Sequence, residues 1–158
     1  MNAPAHAGHD VLIYRWSKET AHPTAAARAA LRDALGGLGV VREVRTDAEL
    51  ALSELVANAT EHACGPYEVR RRRTGTEWIC EVQDSDPAIP DLPSFPVAAP
   101  FPAREEHRGA GLDALVAVLS ERGRGLRIVN ELTGGAWGFR RVGVAGKAVW
   151  FAIPLPRG

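Results

Sequence analysis

The chain has 158 residues, enough for one domain with a core that folds alone. Apolar residues make up 46% and charged residues 24%, with a formal net charge of zero. That is an ordinary globular composition, with no global field to draw the chain to nucleic acid or a membrane surface. No apolar run reaches the length of a membrane span, and MNAPAHAGHD lacks a signal peptide's positive start and apolar middle. A cytoplasmic protein is expected. Cys64 and Cys80 lack metal-ligand spacing and are expected to be buried free thiols in a reducing compartment.

In chain order, residues 1–9 read as a loose tail, whose His6 and His9 have no further ligands for a metal site. Val11 to Trp16 is a strand expected at a sheet edge. Pro23 opens a helix, with Thr20 or His22 near its cap, which runs to about Leu35 and stops at Gly36, Gly37 and Gly39. Val40 to Arg45 is expected to link to the next helix.

The stretch Thr46 to Ala63, TDAELALSELVANATEHA, predicts a helix with a polar working edge. Thr46 and Glu49 form a capping-box pattern at its start. Leu52, Leu55, Val56, Ala59 and Ala63 recur at three- and four-residue spacing and make an apolar stripe. Glu54, Asn58 and His62 stack on one edge of the same helix. A carboxylate and an amide one turn apart suit Mg²⁺, which takes oxygen ligands and keeps waters and substrate phosphates. The same three residues would also serve as a solvated flank.

Gly65-Pro66 stops this helix. Tyr67 to Thr74 and Glu77 to Asp84 then predict a hairpin around Gly75. Consecutive arginines on a strand point to opposite faces, so Arg70 to Arg73 reads as a solvated edge strand and not as a nucleic-acid surface. Alternation places Trp78, Cys80, Val82 and Asp84 on one face of the second strand. A carboxylate ending an apolar face needs a donor, either a neighbouring backbone group or a ligand's amino group.

Six prolines between Pro87 and Pro102 exclude regular helix or central strand there. With a short helix at Leu112 to Leu119, entered through Gly109-Ala110-Gly111, residues 87–122 read as a lid or binding surface. Gly123 and Gly125 are expected to precede a helix carrying Leu126, Val129 and Leu132 on its apolar stripe. Its free N–H groups and partial positive charge suit an anion. A hairpin, Ala136 to Val142 and Lys147 to Leu155, closes the chain. The order predicts an α+β two-layer sandwich, with helices on one face of a mixed, mostly antiparallel sheet.

Glu54-Leu55-Val56-x-Asn58-Ala59-x-x-His62-Ala63 resembles the N box of the GHKL ATPases, the superfamily of histidine kinases, gyrase B, Hsp90 and MutL. Gly123-Arg124-Gly125-Leu126 resembles their second glycine box, and Asp84 stands where their first glycine box begins. The ending GKAVWF resembles the closing strand of the single-domain branch that contains the anti-sigma factor serine kinases. The resemblance implies a Bergerat-type ATP-binding fold over 10–156, with 87–122 as the ATP lid. It implies ATP and Mg²⁺ as cofactors. Asn58 would be the metal ligand, Glu54 the general base toward a serine hydroxyl or water, and Asp84 the acceptor for the adenine amino group. Gly123, Arg124, Gly125 and Leu126 would surround the phosphates. The implied partner is a sigma factor or an anti-sigma antagonist protein, with no direct nucleic acid, no membrane, and room for a homodimer.

This sequence departs from the pattern in three places. Asp84-Ser85-Asp86-Pro87 lacks the glycines of the first box. Gly146-Lys147-Ala148-Val149 lacks the Thr of the closing strand. Gly109-x-Gly111-Leu112 is a second glycine pair, so the phosphate box has two candidates. The departures motivate an alternative, a non-catalytic interaction module with a degenerate nucleotide site. A sensor-kinase reading finds no dimerisation hairpin with a phospho-accepting His in the sequence.

Overall fold

The computed structural model describes residues 10–86 and 123–156. Their elements are β1 (Val11–Trp16), α1 (Pro23–Leu35), α2 (Arg42–His62), β2 (Tyr67–Arg73), β3 (Glu77–Asp84), α3 (Gly123–Thr133), β4 (Trp137–Val142) and β5 (Gly146–Pro154). The expected tail 1–9 and the lid 87–122, with its Leu112–Leu119 helix and Gly109–Gly111 pair, lie outside the described residues.

Among the described residues the strands form one sheet in the order β1-β2-β3-β5-β4, antiparallel at every pairing. The last strand is therefore not an edge. It enters between β3 and β4, and its register sets Val82 opposite Val149 and Asp84 opposite Lys147. The period of two predicted for β3 holds. Trp78, Cys80 and Val82 are buried in the core that contains Leu31 and Leu35 of α1 and Leu52, Leu55 and Val56 of α2. The architecture is α+β, with helices packed on one sheet face. On the other face Ile79, Trp150 and Ala152 form a second, smaller buried cluster.

An aromatic corner fixes where the C-terminal half of α2 stands on the sheet. The Trp16 ring stacks between Tyr14 and Tyr67, at centroid distances of 5.7 and 5.1 Å. Its indole N–H donates to the Thr60 hydroxyl at 2.9 Å, and the Tyr67 hydroxyl donates to the Ala63 carbonyl at 2.7 Å. Asn58 and His62 are thereby held at a set height above β2 and β3.

Four expectations change. First, α2 begins at Arg42, so Val40 to Arg45 is mostly helix and Thr46 lies inside it. The N-cap is Val41, with no side-chain cap, and Val44 packs on the core, which rewards the extra turn. Glu49 does not close a capping box; it receives the Arg32 guanidinium of α1 at 2.6 Å. Second, β2 is internal. Its arginines are held by specific partners: Arg70 by Glu68 at 3.0 Å, Arg72 by Glu81 at 3.3 Å, and Arg71 over the Trp78 ring at 4.4 Å. Third, Gly123 and Gly125 lie in the first turn of α3 and not ahead of it. Fourth, only Cys80 is buried, and burial pushes its thiol pKa up. Cys64 is exposed, because it follows the helix end at Ala63 and is held through its carbonyl, which accepts the Ser85 N–H at 2.9 Å.

Glu68 shows how the charged strand is stabilised. Burial pushes its pKa up, but hydrogen bonds from Arg15 and Arg70 and their charges outweigh that and hold it below the usual carboxylate range. A folded pKa below the unfolded one gives stability that is present above the unfolded pKa and lost as pH falls through the folded pKa. Glu68→Gln should therefore cost up to about 1 kcal/mol at neutral pH, a surface-pair magnitude. The difference from the parent should shrink as the pH is lowered through the carboxylate range, as urea unfolding at a series of pH values would read.

Candidate functional site

The apolar stripe of α2 is buried as its spacing predicts, at Leu52, Leu55, Val56 and Ala59. Glu54, Asn58 and His62 stand half-buried on the adjoining edge. Among the described residues, neither Glu54 nor Asn58 makes a side-chain hydrogen bond or ion pair. A half-buried carboxylate and an amide with no partner among the described residues offer two oxygen donors to a ligand or to water.

Helix α3 brings Gly125 to that edge. A Cβ added at Gly125 would stand 3.1 Å from the Glu54 carboxylate and 3.2 Å from the Asn58 amide nitrogen. The first turn of α3 can lie here because position 125 has no side chain. This places the first described turn of α3 beside a carboxylate and an amide, and a helix start beside oxygen donors suits a phosphate bridged to them by a cation. Leu126, the next residue, is buried and lines a cavity with Leu55, Asn58, His62 and Asp84. Val82, Phe139 and Val149 complete its apolar wall. The cavity holds about 30 Å³ of space for water centres, room for a water or two.

Asp84 ends the helix-facing row of β3 and is 9% exposed. Both of its expected donors were alternatives in the sequence, and the backbone one is present: the Asp86 N–H donates to Oδ1 at 2.8 Å. A second donor was not foreseen. Lys147 of β5 places Nζ 3.1 Å from Oδ2 and 3.3 Å from Oδ1. Nζ also lies 3.3 Å from the Asp86 carbonyl oxygen, and both charged side chains are buried. Burial pushes the Asp84 pKa up, and the Asp86 N–H and the Lys147 charge oppose that shift without cancelling it. Gly146 explains the tight junction, since a Cβ there would collide with the Asp84 carbonyl oxygen.

The predicted site residues therefore fall into two groups. Glu54, Asn58, Gly125 and Leu126 converge, with Gly123 and Arg124 in the same helical turn. Asp84 lies across the cavity, already engaged. In the sequence Lys147 reads only as the start of the closing strand and as part of a departure from the family pattern. Its role depends on a cross-strand register that no local pattern reveals.

The histidine kinase-like ATPase domain profile matches residues 17–153, most of the chain. The chain belongs to the histidine kinase-like ATPase family. No protein of curated function matches it. Among solved structures, this ATPase domain is similar to the Acinetobacter baumannii histidine kinase AdeS, at 17% identity, TM-score 0.45, covering 72% of this chain and 48% of that one. The chain thus spans about half the length of that kinase. It is also similar to the histidine kinase domain of the E. coli osmosensor EnvZ, at 15% identity and TM-score 0.45, covering 96% of this chain and 94% of that one.

Family membership implies ATP binding, typically with Mg²⁺. The residues beside α3 fit such a ligand: Glu54 and Asn58, without partners among the described residues, and Gly125, whose added Cβ would crowd them. Among the described residues no cluster of His, Cys, Asp and Glu side chains could hold a metal by itself. Among the same residues no helix is long and apolar enough to cross a membrane.

Gly125→Ala separates fold from site. Alanine gains up to about 1 kcal/mol of helix propensity over glycine, while its methyl displaces the Glu54 and Asn58 side chains. The variant should melt within a few degrees of the parent but lose nucleotide affinity at least about tenfold, equivalent to about 1.4 kcal/mol. Thermal unfolding and calorimetric titration check the two halves.

Proposed function

We propose that this family member is an ATP-dependent regulatory protein of the anti-sigma factor serine kinase type. It binds Mg-ATP, phosphorylates a serine or threonine of an antagonist protein, and sequesters a sigma factor-like partner by protein contacts. The observation that carries this reading is the convergence of Glu54 and Asn58 on Gly125 at the start of α3. The N-box spacing and the ending GKAVWF, which resembles the single-domain branch, support the choice of substrate and partner.

In this reading the Asn58 amide oxygen holds the cation, and the first-turn N–H groups of α3 hold phosphate oxygens. Bound Mg²⁺ supplies neutralisation of phosphate charge. Glu54 accepts the proton of the attacking hydroxyl as its oxygen bonds to the γ-phosphorus, and the bond to the bridging oxygen breaks to release ADP. Burial between α2 and α3 keeps the carboxylate and amide in place before the ligand arrives.

A second reading is favoured by one specific observation, the engagement of Asp84 by Lys147 beside a cavity that fits only a water or two. In it, the chain is an interaction module that keeps the fold and not the chemistry. Two substitutions separate the readings. Asn58→Ala should abolish the Mg²⁺-dependent part of ATP binding. Glu54→Ala should keep binding within about threefold yet cut phosphotransfer at least about a hundredfold, the lower range for a positioned base. Transfer undiminished in Glu54→Ala rejects the assigned base, and absence of transfer from the parent chain to any antagonist favours the module.

A further inference from the structure

Asp84 and Lys147 meet because of the sheet's strand order. β5 runs antiparallel to β3 with Lys147 opposite Asp84, so both side chains leave the sheet on the helix-facing side. The strands lie tight at this point, where Gly146 leaves no room for a Cβ against the Asp84 carbonyl. The ammonium reaches both carboxylate oxygens and the Asp86 carbonyl, and Lys147 as a residue is 3% exposed. A buried ion pair of this kind contributes little net stability, because desolvation of the two charges offsets their attraction. Its placement is more informative than its strength. Asp84 lines the cavity shared with Asn58 and His62, so the carboxylate that family resemblance assigns to an adenine amino group already has an N–H donor. A charged donor is the stronger partner of the two for a carboxylate.

We propose that Lys147 is an internal competitor in the base subsite: its ammonium holds Asp84 in place of a nucleotide's amino group. The inference rests on the ATP-binding reading above and deepens it. An incoming adenine amino group competes with the Lys147 ammonium for the Asp84 carboxylate, and any contact it displaces there is the stronger, charged one. Lys147 therefore sets both the affinity for nucleotide and the weight given to the amino group. Phosphate and cation contacts at Asn58 and the first turn of α3 supply most of the binding.

The test is calorimetric titration of the full chain, Lys147→Ala and Lys147→Thr with Mg-ATP and with purine riboside triphosphate, the same nucleotide without its amino group. Both substitutions should tighten ATP binding at least about tenfold, and the preference for ATP over the amino-free analogue should rise from about threefold or less to about tenfold or more. Thermal unfolding establishes that each variant is folded. A second measurement needs no substitution at Lys147. The chain contains two lysines, Lys18 and Lys147, so carbon-13 labelling at lysine Cε gives two signals, and Lys18→Arg assigns them. Saturating Mg-ATP should move the Lys147 signal toward that of a hydrated ammonium, and inorganic triphosphate should leave it in place.

Unchanged or weakened ATP binding in folded variants overturns the proposal and leaves ATP binding intact. So does saturation of the parent chain by ATP without movement of the Lys147 signal. If neither parent nor variants bind nucleotide at millimolar concentration, the ATP-binding reading and the proposal fall together.

Discussion

Helix α2 buries Leu52, Leu55, Val56 and Ala59 while Glu54 and Asn58 stand on the next edge, and α3 packs against that edge where position 125 has no side chain. A Cβ there would press on the Glu54 carboxylate and the Asn58 amide, which would have to give by a few tenths of an ångström. The rest of the site depends on this contact. It puts the first described turn of α3 beside two oxygen donors that have no partner among the described residues. The aromatic corner of Trp16 and Tyr67, bonded to Thr60 and Ala63, holds the other end of α2 on the sheet.

The two ends of the cavity differ in kind. At the Gly125 end, Glu54 and Asn58 have no side-chain partner among the described residues. At the base end Asp84 is satisfied twice over, by the Asp86 N–H and by Lys147. The first arrangement leaves half-buried oxygen donors that water or a ligand can satisfy; the second already holds its carboxylate with protein donors. A chain shaped only for stability would close both ends with apolar packing, since a buried ion pair returns little net stability.

Much of this was legible in the sequence, for physical reasons that also mark what was not. The α1 helix reads correctly because Pro23 and Gly36 bound an Ala-rich run, and the stripe of α2 reads correctly because its period is unbroken. The start of α2 was misplaced because Val41 carries no cap chemistry, while Thr46 and Glu49 imitate a capping box inside a helix that continues. Glu49 was free to imitate it because its true partner, Arg32, lies on another helix. The internal place of β2 was hidden for a similar reason. Four consecutive arginines look solvated until Glu68, Glu81 and the Trp78 ring are brought beside them. The convergence of Glu54, Asn58 and Gly125 was anticipated from motif order. The Lys147–Asp84 pair was not, because it requires β5 to insert between β3 and β4.

The central claim, that Glu54, Asn58 and the first turn of α3 form a cation-bridged phosphate site, is tested most directly by replacing Mg²⁺ with paramagnetic Mn²⁺ in the presence of ATP and recording amide NMR spectra. The account predicts nucleotide-dependent broadening centred on the Asn58 side-chain amide and the Gly125 and Leu126 backbone N–H groups, with β1 unaffected. Broadening centred elsewhere, or the same broadening with Mn²⁺ alone, would contradict it.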